Sequence, residues 1–209
     1  MRPGPAGGAR DENRRERTAA ICNGALALFL ERGVDAVSID QIARRAGIGK
    51  ASFYSYFQDK RELVATLVDP VRAAVLQAMD HCLARIERAQ DFGSFRYAQE
   101  QMVADLLEAF SDRLDLLRLL LQEARGPAIG ARQPIRAFHD EIVERAVGHN
   151  EAALRARLIR DIHPRLMAYI NLGAIERLGA GFLAGTDLGD PREAVRMLAD
   201  VMLTGLERP

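Results

Sequence analysis

Tryptophan is absent from the 209 residues, cysteine occurs twice, and all but two of the 29 basic residues are arginine. Each scarcity narrows the field. Cys22 and Cys82 lie far apart, without metal-type spacing, so nothing supports a disulfide framework and both are expected as reduced, half-buried thiols. No apolar run approaches the roughly 18 residues that a membrane span needs. The opening MRPGPAGGARDENRRER also lacks the apolar core of a secretory signal. The chain is therefore expected in the cytoplasm, with no membrane partner. His81, His139, His149 and His163 show no ligand spacing beyond a loose FHDE at 138–141, which reads as a solvated helix face. There is no nucleophile elbow and no phosphate loop, and GAGFLAG at 179–185 lacks the strand and spacing of a dinucleotide loop. No catalytic residue, cofactor or metal is expected.

The formal charge is zero, but it is unevenly spread. Up to position 60 there are ten basic against seven acidic residues, and beyond it nineteen against twenty-two. A basic end on an acidic body is consistent with a polyanion as partner.

The apolar pattern is helical from end to end, with no run of β-branched residues alternating at period two. The Gly-, Pro- and Arg-rich residues 1–13 cannot bury apolar surface and read as a disordered tail. A helix is expected from about Arg14, with Ile21, Ala25, Leu28 and Phe29 on one face and Gly33 closing it. Ser38 opens SIDQIARRAG, where Gln41 completes a capping box, and Gly47 ends this short second helix. Further helices are expected at 60–88, 94–111, 112–124, 134–156, 164–185 and 191–207. Ser94, Pro164 and the Asp190–Pro191–Glu193 group mark three of their starts. The fold class is all-α with about nine helices. Residues 14–60 form a small N-terminal domain and 61–209 a larger helical one.

Both lysines, and four aromatic residues within five positions, fall in GIGKASFYSYFQDK at 47–60. Two short helices joined by a tight turn suggest helix-turn-helix geometry. Ala43 is small enough for a steep crossing, Gly47 can take positive φ, and Ile48 can plug the space between the helices. At 100° per residue Phe53 and Phe57 point to one side as core anchors. Ala51, Ser52 and Ser55 form a small opposite face that can approach base edges. Lys50, Tyr54 and Tyr56 line its rims as phosphate donors, and Lys60 adds charge nearby.

Residues 18–64, TAAICNGALALFLERGVDAVSIDQIARRAGIGKASFYSYFQDKRELV, resemble the DNA-binding domain of the tetracycline-repressor (TetR) family of bacterial transcriptional regulators. The resemblance implies a homodimeric repressor. Its third helix would enter the major groove of a palindromic double-stranded operator, and its C-terminal helical domain would dimerise and bind an inducer. Position by position, Ser38 matches a helix-opening hydroxyl that contacts phosphate, and Lys50, Ala51 and Ser52 match the front of the recognition helix. Tyr54, Tyr56 and Lys60 match a backbone-clamping set. Gly49 departs from the pattern, which often has Ser as the cap of that helix.

For the larger domain the pattern is less specific. Ala174, Leu178, Gly181 and Gly185, with Leu198, Met202 and Gly205, offer small and apolar helix faces suited to a two-fold dimer contact. Met102, Leu106, Phe138, Ile142, Met167 and Asn171 are candidate walls of a pocket for a hydrophobic or amphipathic small molecule. Pro70 stands where a helix joining the two domains could be kinked. An all-helical enzyme and a protein-binding adaptor are the alternative classes. The adaptor would leave the small face around Lys50 without a task.

Overall fold

A computed structural model describes residues 8–207. Among them are nine α-helices, one short 3₁₀ turn and no strand. The helices are α1 (Ala9–Arg32), α2 (Ile39–Arg45), α3 (Lys50–Phe53), α4 (Lys60–Ile86), α5 (Phe92–Ala109), α6 (Leu114–Glu123), α7 (Gln133–Arg155), α8 (Pro164–Leu183) and α9 (Pro191–Thr204). Helix α1 starts at Ala9, earlier than the pattern suggested; residues 1–7 of the expected tail lie outside the described residues.

The punctuation explains most boundaries. Gly33 takes φ 81° and donates its N–H to the Phe29 carbonyl at 2.8 Å, closing α1. Ser38 and Gln41 exchange the two bonds of a capping box at the start of α2. Asp190 accepts from the amides of Arg192 and Glu193, with Pro191 at the first helical position of α9. One assignment shifts. The cap of α5 is Asp91, not Ser94. Ser94 sits at the third helical position and returns a bond to the cap's amide, because the aspartate carboxylate reaches its N–H at 2.8 Å.

The described residues divide into two compact units: 8–69 with 118–136, and 70–117 with 137–207. The first therefore takes in the end of α6 and the loop after it, which the sequence had placed in the larger domain. Pro70 is the first residue of the second unit. The core of the first unit holds Ile21, Ala25, Leu28 and Phe29 of α1, Ile42 and Ala43 of α2, Phe53, Phe57, and Leu63, Val64 and Val68 of α4. Burying each of the larger side chains contributes about 1.5–3 kcal/mol.

Why the segment 118–136 belongs with this unit is visible in the α1–α2 loop. Glu123, 3% exposed, accepts the Val34 N–H on Oε1 at 3.1 Å and the Arg132 Nε–H on Oε2 at 2.6 Å. Arg132 also pairs with Asp35 at 2.9 Å, and Gln122 donates to the Phe29 carbonyl at 3.3 Å. A buried carboxylate must be paired to be tolerated, and this one holds a loop amide that no helix satisfies.

In the second unit, Cys82, Ile86, Phe95, Ala98, Ala152, Ala153, Leu158, Ile159, Met167, Leu203 and Leu206 form the main buried cluster. A smaller one joins Val143 and Val147 of α7 to Ala168 of α8. Cys82 is buried and Cys22 half-buried, and both are unbridged. Burial raises their thiol pKa values to about 12 and about 11 respectively, so neither is a reactive thiolate.

His149 of α7 is buried, with Nε2 at 2.8 Å from the Met79 carbonyl. Burial disfavours the charged ring and lowers its pKa from the ordinary 6.5. The unfolded chain therefore takes the proton first. The stability contributed at this site is complete above about pH 6.5 and is lost as pH falls toward the folded value. In urea unfolding between about pH 7 and 5, the wild type is expected to lose stability faster than His149→Gln. Parallel pH profiles for the two would show that His149 is not the responsible group.

Candidate nucleic-acid interface

Helices α2 and α3 are joined by a four-residue turn, Ala46–Gly49. The last turn of α2 is closed by Ala46 N–H to the Ile42 carbonyl at 3.0 Å. The chain then reverses through Gly47, φ 67°, and Ile48 N–H returns to the Ala43 carbonyl at 3.0 Å. A side chain at Gly47 would be strained by that φ. Ala43, 1% exposed, fills the crossing point, and Ile48 is half-buried beside it.

The third helix is shorter than its pattern implied. Its regular part ends at Phe53, and Tyr54–Tyr56 continue as a turn with Ser55 N–H to Ser52 and Tyr56 N–H to Phe53 at 3.1 and 2.9 Å. These are i to i+3 bonds, so the last turn is wound tighter than an α-helix. Phe53 and Phe57 remain the anchors, 0% and 3% exposed, with ring centroids 5.6 Å apart. Ala51, Ser52 and Ser55 are exposed on the far side. Gly49 caps α3 without a side-chain bond, and a Cβ there would meet nothing within 4 Å. The departure from serine at this position is therefore not forced by space.

The rims of this face are held from both sides. Tyr54 is half exposed and stands edge-on to Phe53. Tyr56 is half-buried under the guanidinium of Arg14, 5.4 Å above its ring centre, and Arg14 also donates to the Ser55 carbonyl at 3.3 Å. The first basic residue of RRER is thus part of this surface. Lys50 lies 3.2 and 3.3 Å from the two carboxylate oxygens of Asp40 on α2. Ser38 is exposed at the start of α2, with its hydroxyl in the capping box.

Lys60 has a different task from the one its position implied. Its Nζ donates to the carbonyls of Val34 at 2.7 Å, Val37 at 2.8 Å and Asp35 at 3.3 Å. Burial lowers its pKa from the ordinary value, against the opposing pull of Asp35. All three ammonium donors are committed inside the chain, so Lys60 anchors the α1–α2 loop and has no donor left for a phosphate.

A helix-turn-helix with this turn, these anchors and this small outer face occupies the stretch matched by the family described as "Bacterial regulatory proteins, tetR family", over residues 21–67. Over residues 21–67 the chain is similar to the TetR family. An uncharacterised HTH-type transcriptional regulator of Haemophilus influenzae is 30% identical over 121 residues. The match takes in 56% of this chain and 56% of that relative, so the chain spans little more than half of the relative's length. A likeness of fold extends over the rest. FadR from Bacillus subtilis, in complex with stearoyl-CoA, superposes with a TM-score of 0.67 at 15% identity, over 90% of this chain and 99% of that one. SmeT, the repressor of the Stenotrophomonas maltophilia multidrug efflux pump SmeDEF, does so with a TM-score of 0.66 at 20% identity, over 91% and 90%. At these identities the likeness is one of fold.

The remaining candidate residues fall in the second unit. Met102 packs against the cluster that contains Met167. Phe138 is buried, Leu106 and Ile142 are half-buried, and Asn171 has its Oδ1 buried without a hydrogen-bond partner. His139 is not on a solvated face as its FHDE context suggested. Its side chain is 21% exposed and Nε2 lies 3.0 Å from Glu176 of α8, because the antiparallel packing of α7 and α8 turns both groups inward. Of the expected dimer face, Gly185 and Gly205 are exposed, while Ala174, Leu178, Gly181, Leu198 and Met202 are half-buried. A Cβ on Gly181 would come within 2.9 Å of Leu188, so its smallness serves the chain's own loop. Burial of Leu203 and Leu206 sets the rotation of α9 and leaves Met197 and Val201, 69% and 66% exposed, as its outward apolar stripe.

Replacing Lys60 by Ala strands three carbonyls that its ammonium now satisfies. Unfolding measurements on Lys60→Ala are expected to show a loss of about 2–3 kcal/mol. Unchanged stability, with a salt slope of DNA binding lowered by about one, would return Lys60 to the phosphate-contacting set.

Proposed function

We propose that the chain is a DNA-binding transcriptional regulator: a repressor that binds a palindromic operator as a homodimer and leaves it when a small molecule binds. The observation that carries this is the exposed face of Ala51, Ser52 and Ser55, flanked by Lys50, Tyr54 and Tyr56 on a helix-turn-helix. Small residues let the backbone of α3 approach the floor of a major groove, where hydroxyls and a methyl can meet base edges. The phenol groups at its rims reach the phosphates on either side and set the register, while Lys50 stands at the front of the helix within reach of base edges. Ser38, exposed at the N-terminus of α2, adds a hydroxyl and a helix start toward the backbone.

A dimer places two such faces on successive major grooves when they are about 34–36 Å apart. The apolar surface of α8 and α9, including Met197 and Val201 beside Gly205, is the surface for a second copy. The ligand is a hydrophobic or amphipathic molecule held in the second unit, with Met102, Leu106, Phe138, Ile142 and Met167 as apolar wall and Asn171 as a polar contact. The stearoyl-CoA held by the B. subtilis FadR structure, and the SmeT repressor's connection with a multidrug efflux pump, support that class. Release follows if the ligand favours a dimer spacing other than the one the operator needs, by as much as its affinity differs between the two. Such a regulator performs no bond chemistry and works in the cytoplasm, where its DNA is. Among the described residues no helix is long and apolar enough to cross a membrane.

Binding to short DNA duplexes at increasing salt tests this reading. Affinity is expected to fall by at least about a hundredfold between roughly 50 and 200 mM salt, as several phosphate contacts release counterions. Absence of binding to any duplex, or binding indifferent to salt, would leave the helical adaptor as the better account.

A further inference from the structure

Of the two lysines in the recognition segment, Lys60 is committed to the loop carbonyls, which leaves Lys50 as the lysine charge available at the DNA face. That charge is not free either. Its ammonium lies between both carboxylate oxygens of Asp40, at 3.2 and 3.3 Å, and both side chains are more than half exposed. The two residues are brought together by the turn: Asp40 is in the first turn of α2, fixed by the Ser38–Gln41 capping box, and Lys50 is the first residue of α3. An acidic group on a face that approaches phosphates works against general DNA binding, so its presence calls for a compensating role.

We propose that Asp40 is a specificity-determining residue that keeps Lys50 from contacting arbitrary phosphates and aims it at base edges. The inference rests on the DNA-binding reading above. An ammonium carries three donors; Asp40 engages part of that capacity, and the rest can be offered to a guanine O6 and N7 without breaking the pair. On a non-cognate duplex, where only phosphates are in reach, the paired lysine contributes little counterion release and the neighbouring carboxylate repels the backbone. On a cognate site the same carboxylate holds the ammonium in place as it donates. Asp40 thus lowers affinity for DNA in general more than for the operator, and widens the gap between them.

The test is a double-mutant cycle of Asp40→Asn and Lys50→Gln in the full chain. Each protein is titrated with a random-sequence duplex and with the duplex recovered from genomic fragments by the wild type. Asp40→Asn is expected to bind the random duplex about three- to tenfold more tightly, with a salt slope steeper by about 0.9, the value for one added phosphate contact. Its affinity for the recovered duplex is expected to stay equal or fall, and the effect on the random duplex is expected to vanish when Lys50 is Gln. Asp40→Ser, which also suits a first helical turn, is expected to repeat the result. If Asp40→Asn tightens both duplexes alike, or acts equally with and without Lys50, Asp40 is only a general charge and the proposal is overturned. If the wild type binds no duplex, the DNA-binding reading itself falls.

Discussion

The α1–α2 loop, residues 33–37, is the part of the first unit that regular structure cannot hold, and its polar backbone is satisfied by side chains from far along the chain. Glu123 takes the Val34 amide, while Lys60 takes the carbonyls of Val34, Asp35 and Val37. Arg132 neutralises Glu123 and reaches Asp35. Each of these groups would be costly to bury alone. Together they satisfy one another and fix the point from which α2 departs. The orientation of the capping box, the Gly47 turn and the recognition segment all follow from that departure.

Within residues 47–60 the density of aromatics and lysines resolves into separate tasks. Phe53 and Phe57 hold the turn down, and Arg14 braces Tyr56 from α1. Asp40 holds Lys50, and the small residues are left outside. Most of these restraints are weak singly, since an exposed ion pair contributes about 0–1 kcal/mol and an exposed cation–π contact about 0.5–1 kcal/mol. Their effect lies in narrowing the geometry of the exposed face of Ala51, Ser52 and Ser55. Stability comes from the apolar core beneath.

Periodicity and capping residues made the helices legible in the sequence. The buried face of α1, the Ser38 box, the Gly47 turn and the Asp190 start all stand where their local patterns place them, because each depends on neighbours within a few residues. What escaped is what depends on distant partners. Nothing local marks Glu123 as the acceptor for an amide 89 positions away, or Lys60 as a loop anchor in place of a surface cation. The rotation of α9 was offset by one residue for the same reason: Leu203 and Leu206 decide it by joining a cluster built mainly from other helices. The early end of regular helix at Phe53 and the half-buried position of His139 against Glu176 also depend on packing. The small face of Ala51, Ser52 and Ser55 was legible because Phe53 and Phe57 fix it by helical geometry alone.

The α1–α2 loop is expected to be held as firmly as the helices it joins. Native-state amide hydrogen exchange at Val34 tests this directly, because its N–H lies outside any helix and is bonded to the Glu123 carboxylate. Val34 is expected to exchange as slowly as the core amides of α2, such as Ile42, through opening of the whole unit. Exchange at the rate of an exposed loop amide, with α2 still protected, would contradict it.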